Sequence, residues 1–278
     1  MGYAACWRPM QLLSPESELT SVRRARPLLG TLVEIQATAD GLSRVHAAID
    51  TAFEQVALVH RLMSRQDPDS ELSRLNRSGA GTVQRVDPHT HRVLCAALRF
   101  ARTSAGAFDP CVGGGSWQDI ELLSGCCVRI KRPVCIDLGG IAKGYAVDAA
   151  IQSLQRSNVD EILVNAGGDL RAAGARTHEI HLRHPHAPAA AVNPLQLRNA
   201  ALASSGTYFS RRSLVDPRSR KPYCSADAVS VRARDCMTAD ALTKIVLFAP
   251  SPTAERVLEE FGAEACVLRA GLPAQDTV

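Results

Sequence analysis

The chain has 278 residues, of which 46% are hydrophobic and 22% are charged, and its formal net charge is +4. This composition is typical of a globular protein that forms one large domain or two modest ones. The mild charge argues against a nucleic-acid-binding protein, and no apolar run is long enough to cross a bilayer. The nine cysteines show no Cys-x-x-Cys spacing, which favours buried thiols over a disulfide framework.

Hydrophobic periodicity predicts the elements of the first two thirds of the chain. Residues 31–39 alternate between apolar and polar side chains and predict a strand. Apolar positions recur every three or four residues from Ser43 to Ser64 and predict a long amphipathic helix. A second helix is expected over Thr90–Ser104, and residues 161–174 predict a strand, a glycine turn and another strand.

The last third continues with short elements. Strands are expected at 179–183, 200–204 and 228–233. One helix is expected to begin near Ala239, a second to be capped by Ser251 with Pro252 at its first position, and a last strand to begin near Glu264. Because adjoining strands outnumber crossover helices, the fold class is predicted to be α+β.

The segment IDLGGIAKGYAVD, residues 136–148, predicts a strand that ends in VCID, a tight glycine turn and a helix. Gly144 follows Lys143, so the segment is not a Walker A loop, and its glycine spacing is not the dinucleotide fingerprint. Close backbone approach, unpaired N–H groups at the helix start and the Lys143 charge would suit a diphosphate, and Asp137 could accept hydrogen bonds from a sugar or base. A structural glycine turn with a capping acid and a solvated lysine explains the same residues.

Further motifs accompany this segment in a definite order: LGTLVEI (29–35), SELSRLNR (70–77), GAFDP (106–110), NAGGD (165–169), ASSGTYF (203–209), VDPRS (215–219) and MTADALTK (237–244). Together they resemble the bacterial FAD:protein FMN transferases, the ApbE-like family, from about Leu29 to Leu268. The resemblance implies mixed, largely antiparallel sheets packed with helices. It also implies an N-terminal extension at 1–28 and a single flavin transferase domain at 29–278.

The resemblance also implies an activity and a site. Such proteins bind FAD and Mg²⁺ and transfer FMN to a Thr or Ser hydroxyl of a target protein, commonly an electron-transport subunit, with release of AMP. The positions that correspond to cofactor contacts are Leu29, Gly30, Thr31, Ala107, Phe108, Asp109, Asp137, Lys143, Ser205, Gly206 and Ser213. The implied metal ligands are the Gly140 carbonyl, Asp240 and Thr243, and the implied catalytic residues are Asp240 and Lys244.

The chain departs from the family pattern at four positions. Ser213 stands where a histidine is usual, Lys244 where a threonine follows the metal-binding aspartate, Gln66 where an aromatic residue is common, and Leu29 where methionine is usual. We hypothesise that Lys244 pairs with Asp240 one helical turn away and partly replaces the divalent cation. The alternative is an outward-pointing, solvated lysine. Only residues 115–133 separate the FDP motif from the glycine turn, so the chain is expected to be a shortened, partly divergent member.

Two other functions stay open from the sequence. One is an FAD pyrophosphatase that yields FMN and AMP, and the other is a flavin-binding protein without catalytic activity. No export signal is recognisable at the start, so a cytoplasmic location is expected as the sequence stands. A periplasmic or membrane-associated location would follow if the given start lacks such a signal.

Overall fold

A computed structural model of the protein describes residues 19–182, 194–206, 214–223, 225 and 227–268. The described strands are β1 (Leu19–Leu28), β2 (Thr31–Asp40), β3 (Val83–Arg85), β4 (Ile120–Leu123), β5 (Cys127–Ile130), β6 (Glu161–Ala166), β7 (Asp169–Ala173), β8 (His178–Ile180), β9 (Leu195–Leu197), β10 (Ala201–Gly206), β11 (Ala228–Ala233) and β12 (Glu264–Leu268). The described helices are α1 (Leu42–Met63), α2 (Glu71–Asn76), α3 (Pro88–Thr103), α4 (Ala142–Arg156), α5 (Cys236–Phe248) and α6 (Ser251–Phe261), with a short 3-10 helix at Trp117–Asp119.

A seven-stranded sheet organises the described residues. Its strand order is β1-β2-β6-β7-β10-β11-β12, and every neighbouring pair is antiparallel. Strands β3, β5 and β4 form a small separate sheet, and β8 pairs with β9. Helices and antiparallel sheets in these proportions confirm the predicted α+β class.

The main core lies between one face of the large sheet and the helices α1, α4 and α5. Helix α1 packs on β1 and β2, α4 on β6 and β7, and α5 on β10 and β11. Alternate strand residues such as Val33, Ile35 and Val164 are fully buried against these helices. A smaller apolar cluster that includes Leu170 and Leu202 contains the alternate residues of β7 and β10. Side chains on the helix-covered face near the strand ends can therefore meet the ends of α4 and α5.

Antiparallel pairing brings several turns to one end of the large sheet. The β1–β2 turn, the β6–β7 turn and the last residues of β10 all lie at that end because neighbouring strands run in opposite directions. In the β1–β2 turn, Leu28 pairs with Thr31, and Leu29 and Gly30 both have positive φ, at 57° and 71°. Two consecutive positive φ values in a two-residue loop are the requirement of a type I′ hairpin turn.

Most of the long periodic segments form the elements that the sequence predicts. The strand at 31–39 and the helices over Ser43–Ser64 and Thr90–Ser104 are confirmed within one or two residues at each end. The strand–turn–strand unit at 161–174 and the strand at 228–233 are also confirmed.

Three local predictions are wrong. Residues 134–137, VCID, are not a strand, because their backbone is bonded instead to the end of α2 and to a loop: Ile136 N–H donates to the Asn76 side chain at 2.7 Å and Asp137 N–H to the Pro110 carbonyl at 2.7 Å. Helix α5 begins at Cys236 rather than near Ala239, since Asp235 caps it by accepting the Thr238 N–H at 2.8 Å. Helix α6 has Pro250 as its N-cap, so the Ser251 side chain does not cap it.

The division into an N-terminal extension at 1–28 and a domain at 29–278 stays a prediction. Strand β1 lies on the extension side of that boundary, although all ten of its residues pair with β2 as the edge of the large sheet. We therefore propose that the folded domain includes Leu19–Leu28. Among the described helices, none combines the length and the apolar character that a membrane crossing requires.

Candidate functional site

Several N–H groups of the glycine turn before α4 are hydrogen-bonded to neighbouring residues of the same segment. The N–H groups of Ile141 and Ala142 both donate to the Leu138 carbonyl, at 3.0 and 2.8 Å. Gly139 N–H donates to the Asp137 carboxylate at 2.9 Å. The sequence predicted unpaired N–H groups at the helix start, and for Ala142, the first residue of α4, that expectation is wrong. Side-chain charge, from Lys143, is a further attraction for an anion beside this turn.

The third glycine of the motif, Gly144, allows α4 and α5 to approach each other. A Cβ atom at Gly144 would lie 2.2 Å from the Cys236 carbonyl oxygen and 2.9 Å from the Asp240 Cβ. The Gly144 N–H also donates to Asp240 Oδ2 at 3.1 Å. The absence of a side chain at Gly144 thus places Asp240 next to the first turn of α4.

Asp148 holds the same two helices together one turn further along α4. Its carboxylate accepts the N–H groups of Cys236 at 3.0 Å and Met237 at 2.8 Å, which are the first two of α5, and an Arg171 N–H at 2.6 Å. Burial raises the pKa of Asp148, although the Arg171 charge and the two N–H donors favour its ionised form. A carboxylate at a helix start satisfies orphan N–H groups and stabilises the helix dipole.

Two lysines and two aspartates form a buried cluster beside the glycine turn, which we call the charge quartet: Lys143, Asp169, Asp240 and Lys244. Lys143 pairs with Asp169 at the β6–β7 turn and lies 3.9 Å from Asp240 Oδ2. Lys244 pairs with Asp240 Oδ1 and donates to the Asp240 backbone carbonyl at 3.0 Å. The Asp169 and Asp240 side chains are 1% and 0% exposed, whereas Lys143 keeps 32% of its side chain exposed.

The charges in the quartet act on each other's protonation. Burial by itself would lower the pKa of Lys143, but the Asp169 and Asp240 charges outweigh it and raise that pKa above its ordinary value. Burial would likewise raise the pKa of Asp240, but Lys143 and Lys244 together lower it. Burial and the Asp240 charge raise the pKa of Asp169, whose Oδ1 is buried without a hydrogen-bond partner among the described residues. The raised pKa of Lys143 keeps its ammonium charged, and because a third of this side chain is exposed it can meet an anionic ligand.

Hydroxyl groups connect the quartet to β10. Ser205 Oγ and Thr243 Oγ1 lie 2.7 Å apart, and Thr243 also donates to the Asp240 carbonyl at 2.7 Å. Both side chains are buried. Gly206 is the last residue of β10, directly after Ser205. The structure thus places Ser205 and Thr243 in one hydrogen-bonded group with Asp240.

The FDP motif also lies against the glycine turn. A Cβ at Gly140 would lie 3.4 Å from the Phe108 ring, and Asp109 accepts the Cys111 N–H at 2.7 Å. Burial raises the pKa of Asp109, opposed by that N–H and by the Arg220 charge. Ala107, Phe108 and Pro110 are buried, whereas Asp109 between them is partly open to solvent.

Asp137 and Thr31 have partners within the protein. Arg65 Nε donates to Asp137 Oδ2 at 2.9 Å. Thr31 packs on the β6–β7 turn, where a Cβ at Gly167 would lie 2.4 Å from the Thr31 hydroxyl. This contact joins the Leu29–Thr31 turn to the strand end that carries Asp169.

The structure therefore gathers most of the predicted site residues at one end of the sheet. Thr31, Phe108, Asp109, Asp137, Gly140, Lys143, Ser205, Asp240, Thr243 and Lys244 are linked by the contacts given above. Lys244 is 12% exposed and paired with Asp240, so the outward-pointing alternative is wrong. Gln66 is exposed, and Ser213 lies outside the described residues.

Asp169 is the site residue that the sequence analysis missed. The available signal was its position directly after the glycine pair of NAGGD, which forms a two-residue turn with positive φ at Gly167 and Gly168. No pattern within the sequence indicated that its partner would be Lys143, 26 positions away.

The predicted metal ligands are not arranged as an open magnesium site. Asp240 Oδ1 accepts the Lys244 ammonium, Oδ2 accepts the Gly144 N–H, and the Thr243 hydroxyl is engaged by Ser205 and a carbonyl. Within the described part of the chain, no group of three or more His, Cys, Asp or Glu residues could hold a metal ion. Mg²⁺ requires near-octahedral oxygen ligands at about 2.0–2.1 Å. The residues as arranged do not fit that ion.

Comparisons with known proteins agree with this architecture. The model of the ApbE family matches residues 29–118 and 115–267 of the chain. A Treponema pallidum protein named FAD:protein FMN transferase is 27% identical over an alignment of 278 positions. The alignment covers 79% of this chain and 76% of that protein. The crystal structure of the ApbE protein of Thermotoga maritima is similar with a TM-score of 0.79 at 25% identity, covering 89% of this chain and 94% of that one. The apo form of the Pseudomonas stutzeri flavinyl transferase ApbE also has a TM-score of 0.79, at 20% identity and with 91% and 92% coverage.

Proposed function

We propose that this chain, which belongs to the ApbE family, transfers FMN from FAD to a serine or threonine hydroxyl of another protein and releases AMP. The family model matches most of the chain, and the Treponema pallidum relative carries the name of this activity. Within the structure, the observation that carries the proposal is the charge quartet beside the glycine turn. Lys143, with 32% of its side chain exposed, and Lys244 carry ammonium groups that would donate hydrogen bonds to an FAD diphosphate.

The chain's own residues would bind and orient the diphosphate. Asp169 and Asp240 fix the two lysines, so that both ammonium groups are in place before the ligand arrives. In the transfer, the acceptor hydroxyl oxygen forms a bond to the FMN phosphorus, and the bond from that phosphorus to the oxygen retained by AMP breaks. The hydroxyl proton is released to solvent. Positive charge beside the diphosphate stabilises the negative charge that develops on the departing AMP.

The cofactor contacts that we propose are those predicted from the sequence: the Leu29–Thr31 turn, Ala107–Asp109, Asp137, Lys143 and Ser205–Gly206. Ser213 is included as a prediction only. The acceptor that we propose is a protein with a Ser/Thr flavin-acceptor motif, of the electron-transport type. The magnesium dependence predicted for such a reaction stays a prediction, and the arrangement around Asp240 gives it no support.

The proposal is tested by incubating the purified protein with FAD and an electron-transport subunit that carries the acceptor motif. We expect AMP in solution and in-gel flavin fluorescence on the acceptor. Lys143→Gln should abolish both signals, whereas Lys131→Gln, the same change at an exposed lysine, should keep them. The Lys131 control separates loss of the site from a general effect of removing one positive charge.

Two outcomes would contradict the transferase. AMP and free FMN without fluorescence on the acceptor would identify a pyrophosphatase. FAD that binds but stays intact would identify a flavin-binding protein without catalytic activity.

A further inference from the structure

The Lys244 side chain occupies the space between α5 and the glycine turn. From α5 it extends across Gly140, where an added Cβ would lie 3.5 Å from Lys244 Cε and 3.8 Å from Cδ. Its ammonium contacts Asp240 Oδ1 and lies 3.0 Å from the Asp240 carbonyl oxygen. A cation coordinated by Asp240 Oδ1 would have to displace this ammonium.

The other oxygen atoms that could coordinate a metal ion beside Asp240 Oδ1 already have hydrogen-bond partners within the protein. Asp240 Oδ2 accepts the Gly144 N–H at 3.1 Å, and the Thr243 hydroxyl contacts the Ser205 hydroxyl and the Asp240 carbonyl at 2.7 Å each. A metal ion could bind Asp240 only if Lys244 moved away. That movement would break an ion pair whose carboxylate is fully buried, which is costly.

Lys244 is held in an orientation that suits a ligand. An ammonium has three N–H donors, and two of them are directed at Asp240 Oδ1 and the Asp240 carbonyl. The third is available to a phosphate oxygen. The side chain keeps 12% of its surface exposed and is anchored by its i, i+4 partner Asp240.

We propose that the Lys244 ammonium takes the place of a divalent cation at Asp240, so that the chain binds the FAD diphosphate through Lys143 and Lys244 without magnesium. This inference rests on the proposed function for the presence of FAD at the site. It assigns to Asp240 the role of a positioning residue for Lys244 rather than that of a metal ligand.

The first experiment measures metal binding without FAD. Mn²⁺ is titrated into EDTA-treated protein, and free Mn²⁺ is followed by electron paramagnetic resonance. Wild type should take up no stoichiometric Mn²⁺, and neither should Lys221→Thr, a control at an exposed lysine. Lys244→Thr should take up one Mn²⁺ per chain, because the change frees Asp240 Oδ1 and adds a hydroxyl ligand. Circular dichroism and thermal unfolding establish that each variant is folded.

The second experiment measures FAD affinity by quenching of flavin fluorescence, in EDTA and in Mg²⁺. Wild type should bind FAD equally in both conditions. Lys244→Thr should bind FAD about tenfold more weakly in EDTA, as expected for the loss of one charge-assisted hydrogen bond, and should recover in Mg²⁺.

Stoichiometric Mn²⁺ uptake by wild type, or tighter FAD binding by wild type in Mg²⁺, would overturn the inference. A folded Lys244→Thr variant that still takes up no Mn²⁺ would overturn it too, since Lys244 would then not be what excludes the ion. If FAD binds in neither condition, the proposed function fails, and the Mn²⁺ titration of the apo-protein still decides the role of Lys244.

Discussion

A methyl group at Gly144 tests how closely α4 and α5 must pack for the site to form. In Gly144→Ala, the new Cβ would lie 2.2 Å from the Cys236 carbonyl oxygen and 2.6 Å from its carbonyl carbon. Both atoms belong to the backbone, so the clash is relieved only if the helices separate by about 1 Å. Overpacking of this kind costs about 1–3 kcal/mol, and the rigid backbone places this site near the upper end. Alanine returns about 1 kcal/mol as a better helix former, which leaves a net loss of about 2 kcal/mol.

Urea unfolding followed by circular dichroism measures this loss. The matched control is Gly79→Ala, where the added Cβ would meet the Thr82 hydroxyl at an ordinary 3.6 Å. The control should stay within about 0.5 kcal/mol of wild type. FAD affinity of Gly144→Ala should also fall, because Asp240 and its partner Lys244 move with α5. A Gly144→Ala protein as stable as wild type would refute the close helix contact as the reason for this glycine.

Two substitutions and one labelling experiment test the site and its surroundings further. Burial alone would raise the pKa of Asp240, but Lys143 and Lys244 hold that pKa below its unfolded value of about 3.9. The ionised Asp240 therefore stabilises the fold fully above about pH 3.9, and this stabilisation is lost as pH falls through the folded pKa. The difference in unfolding free energy between wild type and Asp240→Asn should therefore shrink as pH falls from about 7 to 3, and a constant difference would contradict the ion pairs. Asp169→Asn leaves Lys143 without its close partner and should lower the free energy of unfolding in urea by about 2 kcal/mol. This loss is small for a broken buried pair because Lys143 is partly exposed. An unchanged stability would show that this pair contributes nothing. Burial raises the pKa of the Cys111 thiol, so iodoacetamide and mass spectrometry should find it unlabelled at about pH 8 until urea unfolds the chain, and rapid native labelling would contradict its burial.

Periodic segments were predictable from the sequence because their pattern is local. The apolar positions of α1 and α3 and the alternation of β2 each occur within one element. The edge strand β1 was not predicted, since its side chains alternate between exposed and half-buried and give no apolar face. The VCID segment has the composition of a strand, yet its backbone groups bond to the end of α2 and to the Pro110 loop, and composition cannot reveal partners so far along the chain.

The site was predictable mainly through the resemblance to a family, which indicated which residues to consider. Their physical relations come from the fold. Gly144 and Asp240 are 96 positions apart, so no spacing rule could indicate that one glycine serves the close approach of two helices. The pairing of Lys244 with Asp240 was the exception, because an i, i+4 spacing within one helix is visible in the sequence.

The central claim is most directly tested by comparing two quantities in one reaction: the AMP released from FAD and the FMN covalently attached to the acceptor protein. AMP is measured by chromatography, and attached FMN by intact mass spectrometry of the acceptor. The account predicts equal amounts of the two products, with no attachment when the acceptor hydroxyl is replaced. AMP in clear excess over attached FMN, or no AMP at all, would contradict transfer of FMN to protein as the function of this chain.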